Sequence, residues 1–281
     1  MATNKIPPLL EPYLGLPPEA SLIVLSGVLG ASTNWLVQRY LCSLLGGSNG
    51  RASAAANGDV PENGDTCVVL VSFMRDYAFW KEGAGRLGLD LDGLAKKNIF
   101  KFVDGLSGLF SDASGPNART PVRGTSGEYL LRNATLDELQ QVVQSTQQTC
   151  ASPNTVLILD NPDLLLAASG SNMSGEGLRQ TILHLRENVA STVITLAADE
   201  PLISAQNASL EKDHASLALS LAHEAGMLIT LRLLDTGTAK DVSGVLRVTP
   251  GGDAVGFVSE ERELLYFVGS DGGVRVFERG Q

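Results

Sequence analysis

The stretch SLIVLSGVLGASTNWLVQRYLCSLLGG, residues 21–47, reads as an apolar strand, a short loop and an amphipathic helix. Leu36, Val37, Tyr40, Leu41 and Leu44 recur at helical spacing, with Ser32 or Thr33 as N-cap and Gly46 as stop. In a nucleotide-binding protein the phosphates sit in such a loop, at the helix N-terminus. A working phosphate loop, Gly-x-x-x-x-Gly-Lys-Ser/Thr, has glycines that let backbone N–H groups wrap the phosphates. Its lysine offsets their charge and its hydroxyl binds Mg²⁺. Counted from Gly27, the remaining positions fall on Ser32, Thr33 and Asn34, so the second glycine and the lysine are both missing. Gly30 lies too early to replace that glycine, Arg39 lies more than a turn into the helix, and no lysine occurs between Lys5 and Lys81. The loop marks a nucleotide-binding architecture whose chemistry has eroded, and no cofactor is expected.

Outward from this unit, short apolar runs recur at 67–73, 99–105, 155–160, 192–198 and 227–234. Most are apolar on both faces, as central parallel strands sandwiched between helices must be. Helical patterns separate them, at 76–88, at 135–148 with a Thr135–Glu138 capping box, at 176–189 and at 214–226. Repeated βαβ units predict an α/β domain with a mainly parallel sheet. After residue 234 the pattern alternates polar and apolar around PGGD and SDGG, which predicts two antiparallel β-hairpins appended to that sheet. The expected organisation is a Pro-rich segment over 1–20 and one domain over 21–281, with low-complexity insertions at about 46–65 and 111–128. Loops at 169–177 and 199–212 follow the C-terminal ends of central strands, where ligands and partners of parallel sheets bind.

Composition narrows the function. The 281 residues carry a formal charge of −10 with scattered Lys and Arg, which argues against a protein that grips nucleic acid unaided. Cys42, Cys67 and Cys150 have no metal-ligand spacing and read as buried free thiols, and His184, His214 and His223 stand isolated, so no metal is expected. The N-terminus lacks the apolar core of a signal peptide, and no run reaches the roughly 18 apolar residues of a membrane span, so a soluble protein without membrane contact is expected. The run TVLILD ends in Asp160, where a Mg²⁺-positioning carboxylate stands in active nucleotidases; an Asx turn through Asp160 and Asn161 before Pro162 explains it equally simply. GAGRLG at 83–88 satisfies Gly-x-Gly-x-x-Gly but follows a helix rather than a strand, the wrong setting for a dinucleotide. No Gly-x-Ser-x-Gly elbow supports a hydrolase triad, and no catalytic residue is assigned.

These features together look like the RecA-like ATPase fold. The phrases IPPLLEPYLGLPPEASLIVLSGVLGASTNWLVQRYL, VSFMRDYAFWKEGAGRLGLDL and NIFKFVDGLSGLF closely resemble fungal members of the Elongator complex protein 6 family, over most of the chain from about residue 6. The resemblance implies a non-catalytic subunit that assembles with Elongator proteins 4 and 5 into a six-membered ring, two copies of each. Such a ring docks on the catalytic part of Elongator, which modifies the wobble uridine of tRNA at carbon 5, and is associated with tRNA binding. It also implies a cytoplasmic location, with the nucleus as a second. On this reading Lys212, Arg119 and Arg123 are candidate tRNA contacts, and Tyr77, Phe79 and Trp80 are candidate interface aromatics; Trp35 reads as core. Lys96, Lys97 and Lys101 read as flanking a strand entry more readily than as a basic patch. Two alternatives stay open: an active P-loop-type NTPase or small-molecule kinase with an atypical loop, and the Elongator protein 5 paralogue.

Overall fold

The structure, a computed structural model, describes residues 6–46, 66–110, 128–235, 237, 239–257 and 260–278. The strand–loop–helix unit forms as expected, with β1 over Ser21–Gly27 and α1 over Asn34–Leu45. Next come β2 (Cys67–Ser72), α2 (Tyr77–Arg86), α3 (Leu91–Lys96), β3 (Phe100–Asp104), β4 (Glu128–Leu130) and α4 (Leu136–Gln147). The second half runs β5 (Thr155–Asp160), α5 (Leu164–Ser169), α6 (Gly175–Arg186), β6 (Ser191–Ala197), α7 (Ser209–Glu224) and β7 (Met227–Arg232). Strands β8 (Gly244–Pro250), β9 (Arg262–Val268) and β10 (Val274–Phe277) close the chain.

One sheet holds all ten strands of the described residues, in the order β10-β9-β8-β7-β1-β6-β5-β2-β3-β4. Pairings from β4 through to β7 are parallel, and those among β7, β8, β9 and β10 are antiparallel. The two-faced apolar runs explain the parallel part, because side chains alternate across the pleat into two cores. Val68 and Leu70 of β2 join Ile23 and Leu25 of β1 under α1, α2 and α3. Val69 and Val71 face the opposite core, with Leu139, Leu178 and Leu217 of α4, α6 and α7. Leu10, Tyr13 and Leu14 of the Pro-rich segment are buried in the first core, and the Tyr40 hydroxyl donates to the Tyr13 carbonyl at 2.8 Å.

Several local expectations need correction. Cys67 and Cys150 are joined in a disulfide rather than free, their Cα atoms 6.0 Å apart; only the fold brings together residues 83 apart in sequence. Cys42 is buried and forms no disulfide. In keeping with the strand-entry reading, Lys96 and Lys97 precede β3 and Lys101 is buried in it, its ammonium donating to Asn98 Oδ1 at 2.6 Å. The expected loop at 169–177 holds the end of α5 and the first turn of α6, where Ser174 caps by accepting from Gly177 N. The expected loop at 199–212 likewise holds a short helical turn over Pro201–Ala205 and the start of α7. In α2, Gly83 lies against the end of the flexible Gln38 side chain of α1. The insertions fall almost wholly outside the described residues.

Candidate functional site

The sheet order sets the geometry of the site. Strand β6 separates β1 from β5, and Thr195 pairs with Leu25 on one side and Asp160 on the other. Asp160 therefore lies level with Leu25, two positions before the Gly27 at which β1 ends.

The phosphate-loop position is a tight turn of the chain. Beyond Gly27 the backbone turns, Ala31 N donating to the Val28 carbonyl at 2.8 Å, while Gly30 adopts φ +89°. The turn folds back so far that a Cβ on Gly27 would sit 2.5 Å from the Ala31 carbonyl oxygen. Thr33, not Ser32, is the N-cap residue, but it is buried and its hydroxyl makes no cap bond; Ser32 Oγ, one residue earlier, accepts from Asn34 N at 3.2 Å. The exposed Leu29 donates its N–H to Asp199 Oδ1 at 2.8 Å. A carboxylate thus takes up a backbone donor in the loop, and its negative charge opposes a phosphate there.

Asp160 is equally committed. It is fully buried, and both its oxygens accept from hydroxyls: Oδ2 from Ser72 at 2.7 Å and Oδ1 from Thr195 at 2.9 Å. Each hydroxyl oxygen accepts in turn from a backbone N–H, that of Arg75 at 3.0 Å for Ser72 and that of Asn161 at 2.8 Å for Thr195. Burial pushes the Asp160 carboxyl above the usual carboxylate range, against the two hydroxyl bonds, and the charge of nearby Asp163 adds to the rise. Asn161 takes the left-handed conformation, φ +52°, which turns the chain out of β5.

Spacing gave no sign of a buried pair beside this network. His214 of α7 meets Asp163 Oδ2 through Nε2 at 3.2 Å, across 51 residues, so the histidine is not isolated. Asp163 also accepts from Ala197 N at 3.4 Å, which ties β5, β6 and α7 together at the carboxyl edge of the sheet. Among the described residues no group of three or more His, Cys, Asp and Glu is arranged to hold a metal ion.

The other singled-out residues scatter. Trp80 is fully buried and Tyr77 nearly so, Tyr77 donating to Asp92 Oδ1 at 2.6 Å; both serve the core, and Phe79 remains half-buried. Trp35 lies in the core against Tyr266. Lys212 is exposed in the first turn of α7 rather than in a loop. Arg119 and Arg123 lie outside the described residues. A groove of about 1340 Å³ lies elsewhere, between α1, α2 and the β9–β10 hairpin, and no residue of the phosphate-loop position lines it.

Comparison with solved structures shows the fold. The KaiC-like protein of Pyrococcus horikoshii superposes with a TM-score of 0.57, at 13% identity and 98% coverage of both chains. The flagellar accessory protein FlaH of Methanocaldococcus jannaschii gives a TM-score of 0.60, at 13% identity, over 98% of this chain and 96% of its own. The fold is RecA-like, as expected. The Elongator complex protein 6 homolog of Schizosaccharomyces pombe is 26% identical over 200 residues, 69% of this chain and 72% of its own. The model of the family described as elongation complex protein 6 matches residues 63–266, well over half of the chain, and the chain belongs to that family.

Proposed function

We propose that the chain is a non-catalytic structural subunit of a hexameric ring formed with Elongator proteins 4 and 5. In that ring it supports tRNA binding and wobble-uridine modification at carbon 5 by the complete Elongator complex. Family membership supports an Elongator role. The observation that carries the non-catalytic reading is the make-up of the phosphate-loop position. It has no lysine, its Leu29 N–H is taken by Asp199, and Asp160 holds two hydroxyls instead of facing an open site. Among the described residues no lysine stands at the loop to take the charge of a triphosphate, and the Asp160 oxygens already hold hydroxyls. What remains useful is the shape: a rigid RecA-like body able to fill one place in a ring.

Co-expression with Elongator proteins 4 and 5, followed by native mass measurement, tests the assembly; a chain that stays monomeric beside both sinks it. Calorimetric titration of the isolated chain with Mg-ATP tests the missing chemistry. Micromolar binding would favour the atypical NTPase instead.

A further inference from the structure

Arg39 lies on α1 and is 2% exposed, lining the groove between α1, α2 and the β9–β10 hairpin. Its Nη2 donates to the Gly272 carbonyl at 3.0 Å, and its Nε has no partner. Among the described residues no carboxylate pairs with it. The acid on the neighbouring wall, Glu82, is held by Arg86 at 2.6 Å. A buried guanidinium keeps its proton, so the fold carries a cation that a single carbonyl compensates only in part. Burial depresses its pKa, the direction expected of a cation short of counter-charge.

The groove also follows β10, which closes one end of the sheet and pairs, among the described residues, with β9 alone. Among the described residues no other strand pairs with the far edge of Val274–Phe277, although the Pro8–Leu10 turn packs against β10. The groove's charges are mixed, with Arg86 and Arg275 beside Arg39 against Glu82, Asp241 and Asp271. A polyanion such as RNA or a triphosphate prefers clustered cations and would face all the groove's acids, whereas a segment with a single carboxylate brings only one negative charge to Arg39. The recess exceeds the roughly 300–1,000 Å³ of ordinary small-molecule pockets.

We propose that this groove binds an extended peptide segment of a partner protein, which adds as a strand to β10 and places one Asp or Glu carboxylate on Arg39. The site is distinct from the phosphate-loop position and does not depend on which complex the chain joins.

Fluorescein-labelled Val-Thr octapeptides carrying one Glu, moved through every position, test it by fluorescence polarisation on the full chain, beside the same series with Gln. The best Glu peptide is expected to bind about tenfold or more tightly than its Gln counterpart, as a charge-assisted bond to a buried cation implies. Arg39→Met, which keeps the aliphatic stem, is expected to remove that difference. Should Arg39→Met fail to fold, hydrogen exchange on the unaltered chain decides: amides within 274–277 slow with the Glu peptide and not with the Gln peptide. Equal binding of Glu and Gln peptides throughout overturns the proposal. So does a Glu preference that survives Arg39→Met, or protection that falls outside the groove.

Discussion

Asp199 Oδ1 accepts the backbone N–H of Leu29 at 2.8 Å, joining the loop after β6 to the loop after β1 across 170 residues of sequence. The bond is exposed, so removing the carboxylate by Asp199→Ala is expected to cost less than about 1 kcal/mol of stability. The Leu29 amide is expected to exchange faster in that variant, measured by hydrogen exchange. The variant should still fail to bind Mg-ATP, because neither the lysine nor the second glycine returns with it. Micromolar nucleotide binding by Asp199→Ala would show that this one carboxylate blocks an otherwise competent cradle.

Asp160 allows a pH prediction with a definite sign. Its folded pKa is raised above the value near 3.8 expected of the unfolded chain, chiefly by burial. Between those two values the folded state holds more protons than the unfolded state, so stability falls as pH rises through the window. Asp160→Asn removes the titration. The stability of the original chain relative to Asp160→Asn is expected to decline with rising pH across that window and then level off, measured by urea unfolding. A relative stability that climbs with pH would reverse the sign and contradict the burial argument. Asp160→Leu strips the Ser72 hydroxyl of its acceptor, while Thr195 keeps Asn161 Oδ1 at 3.3 Å, and the one stranded group is expected to cost about 1–3 kcal/mol.

How far the sequence could be read follows from the range of the forces involved. Apolar runs such as CVVLVS, buried at every position, carry their strand identity locally. Ser174 and Asp76, which cap α6 and α2, announce helix starts within three residues. The missing lysine was equally plain. By contrast, Asp199 on Leu29, His214 on Asp163 and Arg39 on Gly272 join residues 170, 51 and 233 apart. No spacing rule encodes these pairs; the sheet order makes them. The short edge strand β4 and the six-residue helices α3 and α5 also escaped, because so few residues show no period.

Gly27 tests the tight turn as a packing problem. A Cβ there meets the Ala31 carbonyl oxygen at 2.5 Å and Thr33 Cγ2 at 3.3 Å. The first of these is backbone and cannot rotate aside. Gly27→Ala is expected to lose about 1–3 kcal/mol in chemical denaturation, the usual cost of overpacking. An unchanged midpoint would mean that the turn gives way freely, and its tightness would then be no obstacle to a ligand.

The aromatic residues of α2 separate core from surface. Trp80 is fully buried, its ring edge-on to Phe79 at 5.2 Å and 87°, and its indole N–H has no partner. Its contribution is therefore apolar area. Trp80→Ala is expected to cost about 3–5 kcal/mol, and Trp80→Phe much less, since no hydrogen bond is lost. Phe79 is half-buried beneath the Arg75 guanidinium, 5.0 Å from the ring centre. Phe79→Ala is expected to cost about 1 kcal/mol or less, because an exposed cation–π contact contributes only about 0.5–1 kcal/mol and part of the ring already meets water. Thermal unfolding of the isolated chain ranks the three variants. Should Phe79→Ala prove as damaging as Trp80→Ala, the division of α2 into a core face and a surface face would be wrong.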